Sequence, residues 1–586
     1  MPLPIRAGLI IFIAVFACAP HAAIAGPEED LHAILKDYDL YLDEADPIGA
    51  AQRGNLAAAR LWPDDSPAAV AARHARLLAF HDRLGATRPA DLSGEDALND
   101  ALLVWRVDLD LAANAFDEER IPFTSDEGFF LLPAEMAEGT RLGNAAEAEA
   151  YLARLAALPA FYDTEIANMR RGIATGFVQP KLTALAVARA TRSMAGEPAE
   201  QSPLLPPFET LPTTMDAGRK AALKARALEV VRAAVKPAEA RLADFFEHDY
   251  VPAARAGIGA SGLPQGRAYY AYRARRETTT DLTPDAIFEL GQSEIARIRK
   301  AMDQAIAEAG FKGSFREFQA FLRSDPQFYV TSREALLEKA SRLAKRIDDR
   351  LPGWFGKLPR LTYGVRPVPA EIEDGYTSGR YFPGSPEQGI AGGLMINTSH
   401  LDQRPLYELP ALVAHEGAPG HHIQIALAQE QTGVPQFRRE DDNTAFVEGW
   451  ALYAEQLVGE AGLYSTPYER FGLLSMEMWR ACRLVVDTGI HWKGWTRDQA
   501  VECLRDNTAL SDKNIQNEVD RYISWPGQAL GYKVGELKIL ELRQRAETAL
   551  GAKFDERAFH DAVLDEGPLP MNLLEKRIDA WIAARR

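Results

Sequence analysis

The chain has 586 residues, 47% of them apolar and 25% charged, the proportions of an ordinary globular protein. Its formal net charge of −17 excludes the basic face that nucleic-acid binding requires. At roughly 150 residues per domain the length suggests about three or four units, or one large two-lobed helical body.

Residues 1–25 read as a targeting segment. MPLPIR is a short positive start, and AGLIIFIAVFACA is an apolar run too short to span a bilayer comfortably. Ala23-Ile24-Ala25 fits a small-x-small cleavage site before Gly26. Export to the periplasm or the exterior is expected. Cys18 suggests a competing lipoprotein signal, against which the bulky Phe16 counts. No other stretch is long and apolar enough to cross a membrane. Removal of the segment leaves Cys482 and Cys503. Export permits their pairing, and the sequence leaves it open.

Residues 26–360 read as a helical N-terminal lobe. Apolar positions recur at three- and four-residue spacing over 51–85, 95–118, 144–172 and 216–248. Thr283-Pro284-Asp285 is a helix start, and that helix is expected to run to Gly310. Thr331 and Glu334 suggest a capping box for a helix ending near Leu351-Pro352. Residues 361–586 form the metal-site lobe. LTYGVRPVP reads as a strand, DGYTSGRYFPGSPEQG as turns, and GGLMINTS as a second strand. A helix then starts near 404–409. The whole is mainly α, with a small β-element beside the site.

That helix carries ALVAHEGAPGHHIQI, residues 411–425. A hydrolytic zinc site needs three His, Glu or Asp ligands and one position open to water. The usual H-E-x-x-H stretch puts two histidines one turn apart on a helix face, with the Glu as base. Here His421 follows His415 by six residues and His422 by seven. On a straight helix six residues leave the side chains roughly 120° out of phase, and seven separate them by about 10.5 Å. Pro419 cannot continue the helix, and Gly417 and Gly420 tolerate unusual dihedrals. A break between 417 and 420 would therefore let His421 or His422 swing back to His415. The third ligand is sought in AFVEGWALYAEQLV, residues 445–458, where Glu448 interrupts an apolar helical stripe. Glu455, two turns on, is expected to orient a ligating histidine.

HEGAPGHHIQ, FVEGWALYAEQL and RYISWPGQALGYKVGELKILELR together resemble the bacterial DUF885 family. That family in turn is similar to helical zinc peptidases such as angiotensin-converting enzyme, oligopeptidases and thermostable carboxypeptidases. The resemblance implies a two-lobed metallopeptidase-like fold around a deep channel. It implies one Zn2+ on His415, Glu448 and either His421 or His422, with Glu416 as the base. The expected function is hydrolysis of short peptides. The alternatives are a zinc amidohydrolase acting on a non-peptide or cell-wall amide, and a peptide-binding protein without turnover.

Further candidates follow from what peptide hydrolysis requires. Tyr532 is the expected oxyanion donor, and Lys533 a partner for a substrate carboxylate. Arg483, Asp487 and His491 recur every four residues on one helix face. They read as a catalytic or substrate-binding set, with Asp487 in a supporting role, or as a structural ladder. GGLMINTS offers a strand edge to a substrate backbone, with Asn397 adding a side-chain hydrogen bond. Tyr376, Arg380 and Tyr381 are candidates for the cleft wall.

Overall fold

The computed structural model describes residues 26–370, 373, 376–386, 389–439 and 443–586. The targeting segment, with Cys18, lies outside the described residues. The fold is mainly α, with one three-stranded sheet. No helix among the described residues is long and apolar enough to cross a membrane.

Most periodic stretches form helices. Residues Gly94–Ala113 and Ala145–Thr175 follow their apolar spacing. The expected 51–85 helix is shorter, Pro67–Gly85, because Ser66 caps its start through a bond from the Ala69 N–H to its hydroxyl. Thr283 caps Pro284–Glu308 as expected, and the chain then turns through Gly310 at φ 70°. The cap of Arg333–Asp348 is displaced by one residue: Ser332, not Thr331, accepts from the Ala335 N–H.

Four apolar cores share the interior among the described residues, two of them large. Residues 48–250 build one apolar core around Phe161, Tyr162 and Phe246. A second core joins Leu31–Val107 to residues 336–582. Helices from either side of residue 360 also pack together. Pro284–Glu308 lies along Pro467–Thr488 so closely that a Cβ on Gly291 would sit 2.7 Å from that of Leu484.

The sheet is where turn chemistry misled the sequence reading. β1 (Tyr363–Pro367) and β3 (Gly392–Ile396) are the expected strands, paired in parallel. Between them the stretch read as turns contributes β2, Gly379–Phe382, antiparallel to β3. The order is β1-β3-β2. GGLMINTS therefore supplies the middle strand, and its backbone cannot receive a substrate. The edge strand nearest the site is β2.

Candidate metal centre

The helix carrying the His-Glu pair is Leu409–Glu416, and a second begins at His421. Between them Gly417 and Gly420 lie outside helical dihedrals, with ψ of −143° and −126°, and the Ala418–Pro419 peptide is cis. Gly420 is required sterically, since a Cβ there would meet the His415 carbonyl oxygen at 2.1 Å. The turn is tied down by the Gly420 N–H donating to Ala414 O (3.0 Å) and the Trp450 Nε1–H to Pro419 O (2.9 Å).

The break brings His421, not His422, back to His415; their rings meet edge-on with centroids 4.8 Å apart. Glu448 arrives from the helix Thr444–Glu460. Its Oε2 stands 3.3 Å from His415 Nε2 and 3.7 Å from His421 Nε2. Oε2 is buried and has no aligned hydrogen-bond donor. One ligand atom from each of the three residues lies within 4.8 Å of the others. Zinc bonds of about 2.0–2.1 Å in a tetrahedron imply ligand–ligand edges of about 3.3 Å. The donor set and its spacing thus fit Zn2+ with one coordination position to spare.

Glu448 is brought to this point by helix packing. The next residue, Gly449, meets Gly535 of the helix Gly531–Leu550 backbone to backbone, and a Cβ on Gly449 would sit 2.5 Å from the Gly535 carbonyl carbon. Glu455 lies two turns on, where its Oε1 accepts from His415 Nδ1 at 2.8 Å. With a metal on Nε2, this bond would keep the remaining His415 proton on Nδ1. Arg480 supports Glu455 from the helix Pro467–Thr488, with Nη2 3.8 Å from Oε1. Burial alone would lower the His415 pKa, but Glu448 and Glu455 outweigh it and hold it at about 9. Burial lowers His421 to about 4. Glu448 is pulled well below the carboxylate range, because the two imidazoles and Arg483 offset its burial.

Glu416 is pushed up to about 7, chiefly by burial, with Glu448 adding to the shift and His415 opposing it. Its Oε2 accepts the Tyr381 backbone N–H at 2.6 Å. That contact revises the role expected for Tyr381. The residue is buried, its N–H holds Glu416, and its phenol oxygen lies 3.0 Å from His422 Nδ1. His422 also packs on the Tyr363 ring at 4.5 Å, pointing away from the cluster.

A family model described as "Bacterial protein of unknown function (DUF885)" matches residues 47–578. The chain belongs to the DUF885 family. Two solved structures are similar. One is a candidate lipoprotein from Colwellia psychrerythraea, with 28% identity, 95% of this chain and 100% of that one covered, and a TM-score of 0.89. The other is a candidate lipoprotein of unknown function from Shewanella oneidensis, with 17% identity, 94% and 99% coverage, and a TM-score of 0.72. No curated protein matches the chain.

Other candidates in this DUF885 chain serve the architecture. Arg483 donates to Tyr522 Oη (2.9 Å) and Glu518 (3.1 Å), and stacks on the half-buried Tyr532 ring at 4.2 Å. Its charge reaches Glu448, so it backs the ligand and is not a substrate contact. Asp487 supports a loop instead of the metal, accepting from Tyr270 Oη (2.6 Å) and the Gly527 N–H (3.1 Å). His491 is fully buried, with Nδ1 2.9 Å from the Ala260 N–H and Nε2 2.9 Å from Tyr522 O, so no substrate can reach it. Asn397 is also fully buried, and its amide ties down Glu373 O and Tyr376 O. Cys482 and Cys503 remain free thiols, with Cys482 Sγ 4.0 Å from Cys503 O.

Lys533 is the clearest correction. It is 0% exposed and lies within 3.3 Å of Glu294 and 2.8 Å of both Glu477 and Glu536. Burial would lower its pKa, but these carboxylates raise it instead. A buried ammonium with three carboxylate neighbours has nothing left for a substrate. Lys533→Met is expected to destabilise the protein by about 3–5 kcal/mol, because buried carboxylates lose their counter-charge. An unchanged denaturant midpoint would contradict this. Arg480, Glu477 and Glu536 join these buried networks without a motif of their own in the sequence. The available signal was the one that marked Glu448, a charged residue within an apolar helical run.

Proposed function

We propose that this protein is an exported zinc-dependent hydrolase of short peptides. The observation that carries the proposal is the buried Glu448 Oε2 facing Nε2 of both His415 and His421. Zn2+ held by these residues would supply Lewis acidity and acidify a water toward neutral pH.

The chain's own residues supply the proton handling. With Zn2+ held at Nε2, Glu455 would keep the His415 proton on Nδ1. Glu416, steadied by the Tyr381 N–H, takes a proton from the attacking water and returns it to the leaving nitrogen. Tyr532, held by the Arg483 guanidinium against its ring, offers its hydroxyl to the developing oxyanion. The targeting pattern of residues 1–25 and the lipoprotein descriptions of both similar structures support export, by cleavage after Ala25 or by anchoring at Cys18.

The test pairs metal analysis of the purified protein with mass spectrometry of a digested peptide mixture. One zinc per chain is expected, with cleavage lost on chelation and regained on zinc addition. Zinc-loaded protein that leaves every peptide intact would reject hydrolysis of peptides, and failure to take up zinc would reject the centre itself.

A further inference from the structure

We propose that Arg380 binds the free α-carboxylate of the substrate, so that the protein acts on peptides from their C-terminal end. The proposal deepens the hydrolase reading and rests on it for the position of the scissile bond.

The peptide bond joining Arg380 to Tyr381 is the one whose N–H reaches Glu416 Oε2 at 2.6 Å. Arg380 is thus tied through its own backbone to the proposed base. Side chains alternate along β2: Gly379 and Tyr381 are buried, whereas Arg380 and Phe382 are exposed. The guanidinium stands in solvent beside the centre.

Arg380 is also unpaired. Among the described residues no hydrogen bond or ion pair reaches it. The other cations around the centre are engaged. Arg480 holds Glu455 and donates to Met476 O at 3.2 Å. Arg483 is bound to Tyr522 and Glu518. Arg521 donates to Gln528 Oε1 at 2.5 Å and lies 3.6 Å from Glu518. In a chain of net charge −17 acidic partners are plentiful. A lone arginine whose charge reaches His421 would repel a Zn2+ held there, and a bound anion would relieve that repulsion. Its charge is felt at His421, and at Glu127 on the opposing segment. Glu127 feels that charge without forming an ion pair with it. The planar guanidinium fork suits a carboxylate, which accepts two parallel N–H bonds.

The test uses an N-acetylated tripeptide with a free carboxylate and the same peptide as its C-terminal amide. Wild-type protein is expected to cleave the acid about 10–100-fold more efficiently, mainly through KM, as loss of a charge-assisted hydrogen bond predicts. Arg380→Gln should erase that preference with zinc content and melting temperature unchanged. Arg380→Lys should restore part of it, and Glu127→Gln should keep it. Equal cleavage of both peptides by the wild type would overturn the assignment, as would a preference that survives Arg380→Gln or disappears with Glu127→Gln. Calorimetric binding of both peptides to zinc-loaded protein poses the same question without turnover. Inert protein that still prefers the acid through Arg380 would reject hydrolysis and keep this site, whereas equal binding would overturn it.

Discussion

Glu416→Gln is expected to retain one zinc per chain while lowering peptide hydrolysis by about 10²–10⁴-fold, the range for loss of a positioned general base. The substitution is close to isosteric. A Gln carbonyl oxygen can still accept the Tyr381 N–H that now reaches Glu416 Oε2 at 2.6 Å. The atoms proposed to hold the metal belong to His415, His421 and Glu448, so the cluster loses no donor. Only proton acceptance disappears. Zinc analysis, a melting curve and turnover of one cleaved peptide check this together. A variant that keeps full activity would remove Glu416 from the chemistry. One that loses zinc together with activity would mean that Glu416 holds the centre together, and its role as a base would be unsupported.

The two adjacent histidines should separate cleanly. His421→Ala is expected to lower zinc affinity by more than the roughly 10–100-fold that loss of a supporting partner costs, because a ligand itself is removed. The melting temperature should then no longer rise when zinc is added, since stabilisation by a ligand requires binding to the folded state. His422→Ala should keep zinc. Its cost is in packing: the contact with Tyr363 and the bond to Tyr381 Oη are lost, about 2–4 kcal/mol for a large buried side chain. Zinc content by mass spectrometry and melting with and without chelator discriminate the two. Zinc loss in His422→Ala with retention in His421→Ala would reverse the ligand assignment.

Much of the centre was legible because its signals are local. Pro419 between Gly417 and Gly420 forces a helix break by covalent geometry, whatever surrounds it. Glu448 and Glu455 were visible as carboxylates within an apolar helical stripe, where each needs a partner. Lys533 carried the same signal and was misread, because a buried ammonium and an exposed one look alike when the three carboxylates around it come from residues 294, 477 and 536. β2 was missed for a related reason. Gly379 and the prolines nearby mimic turn chemistry, and only pairing with β3 makes the segment a strand.

By itself the sequence determined the helical character, the break after Glu416 and the small set of residues able to ligate a metal, since periodicity, proline and glycine act over a few bonds. The tertiary structure decided which histidine returns to His415, which strand forms the edge, and which charged groups are already paired. Those outcomes depend on helices and strands meeting across tens to hundreds of residues, as where Gly449 lies against Gly535. No local pattern encodes that contact.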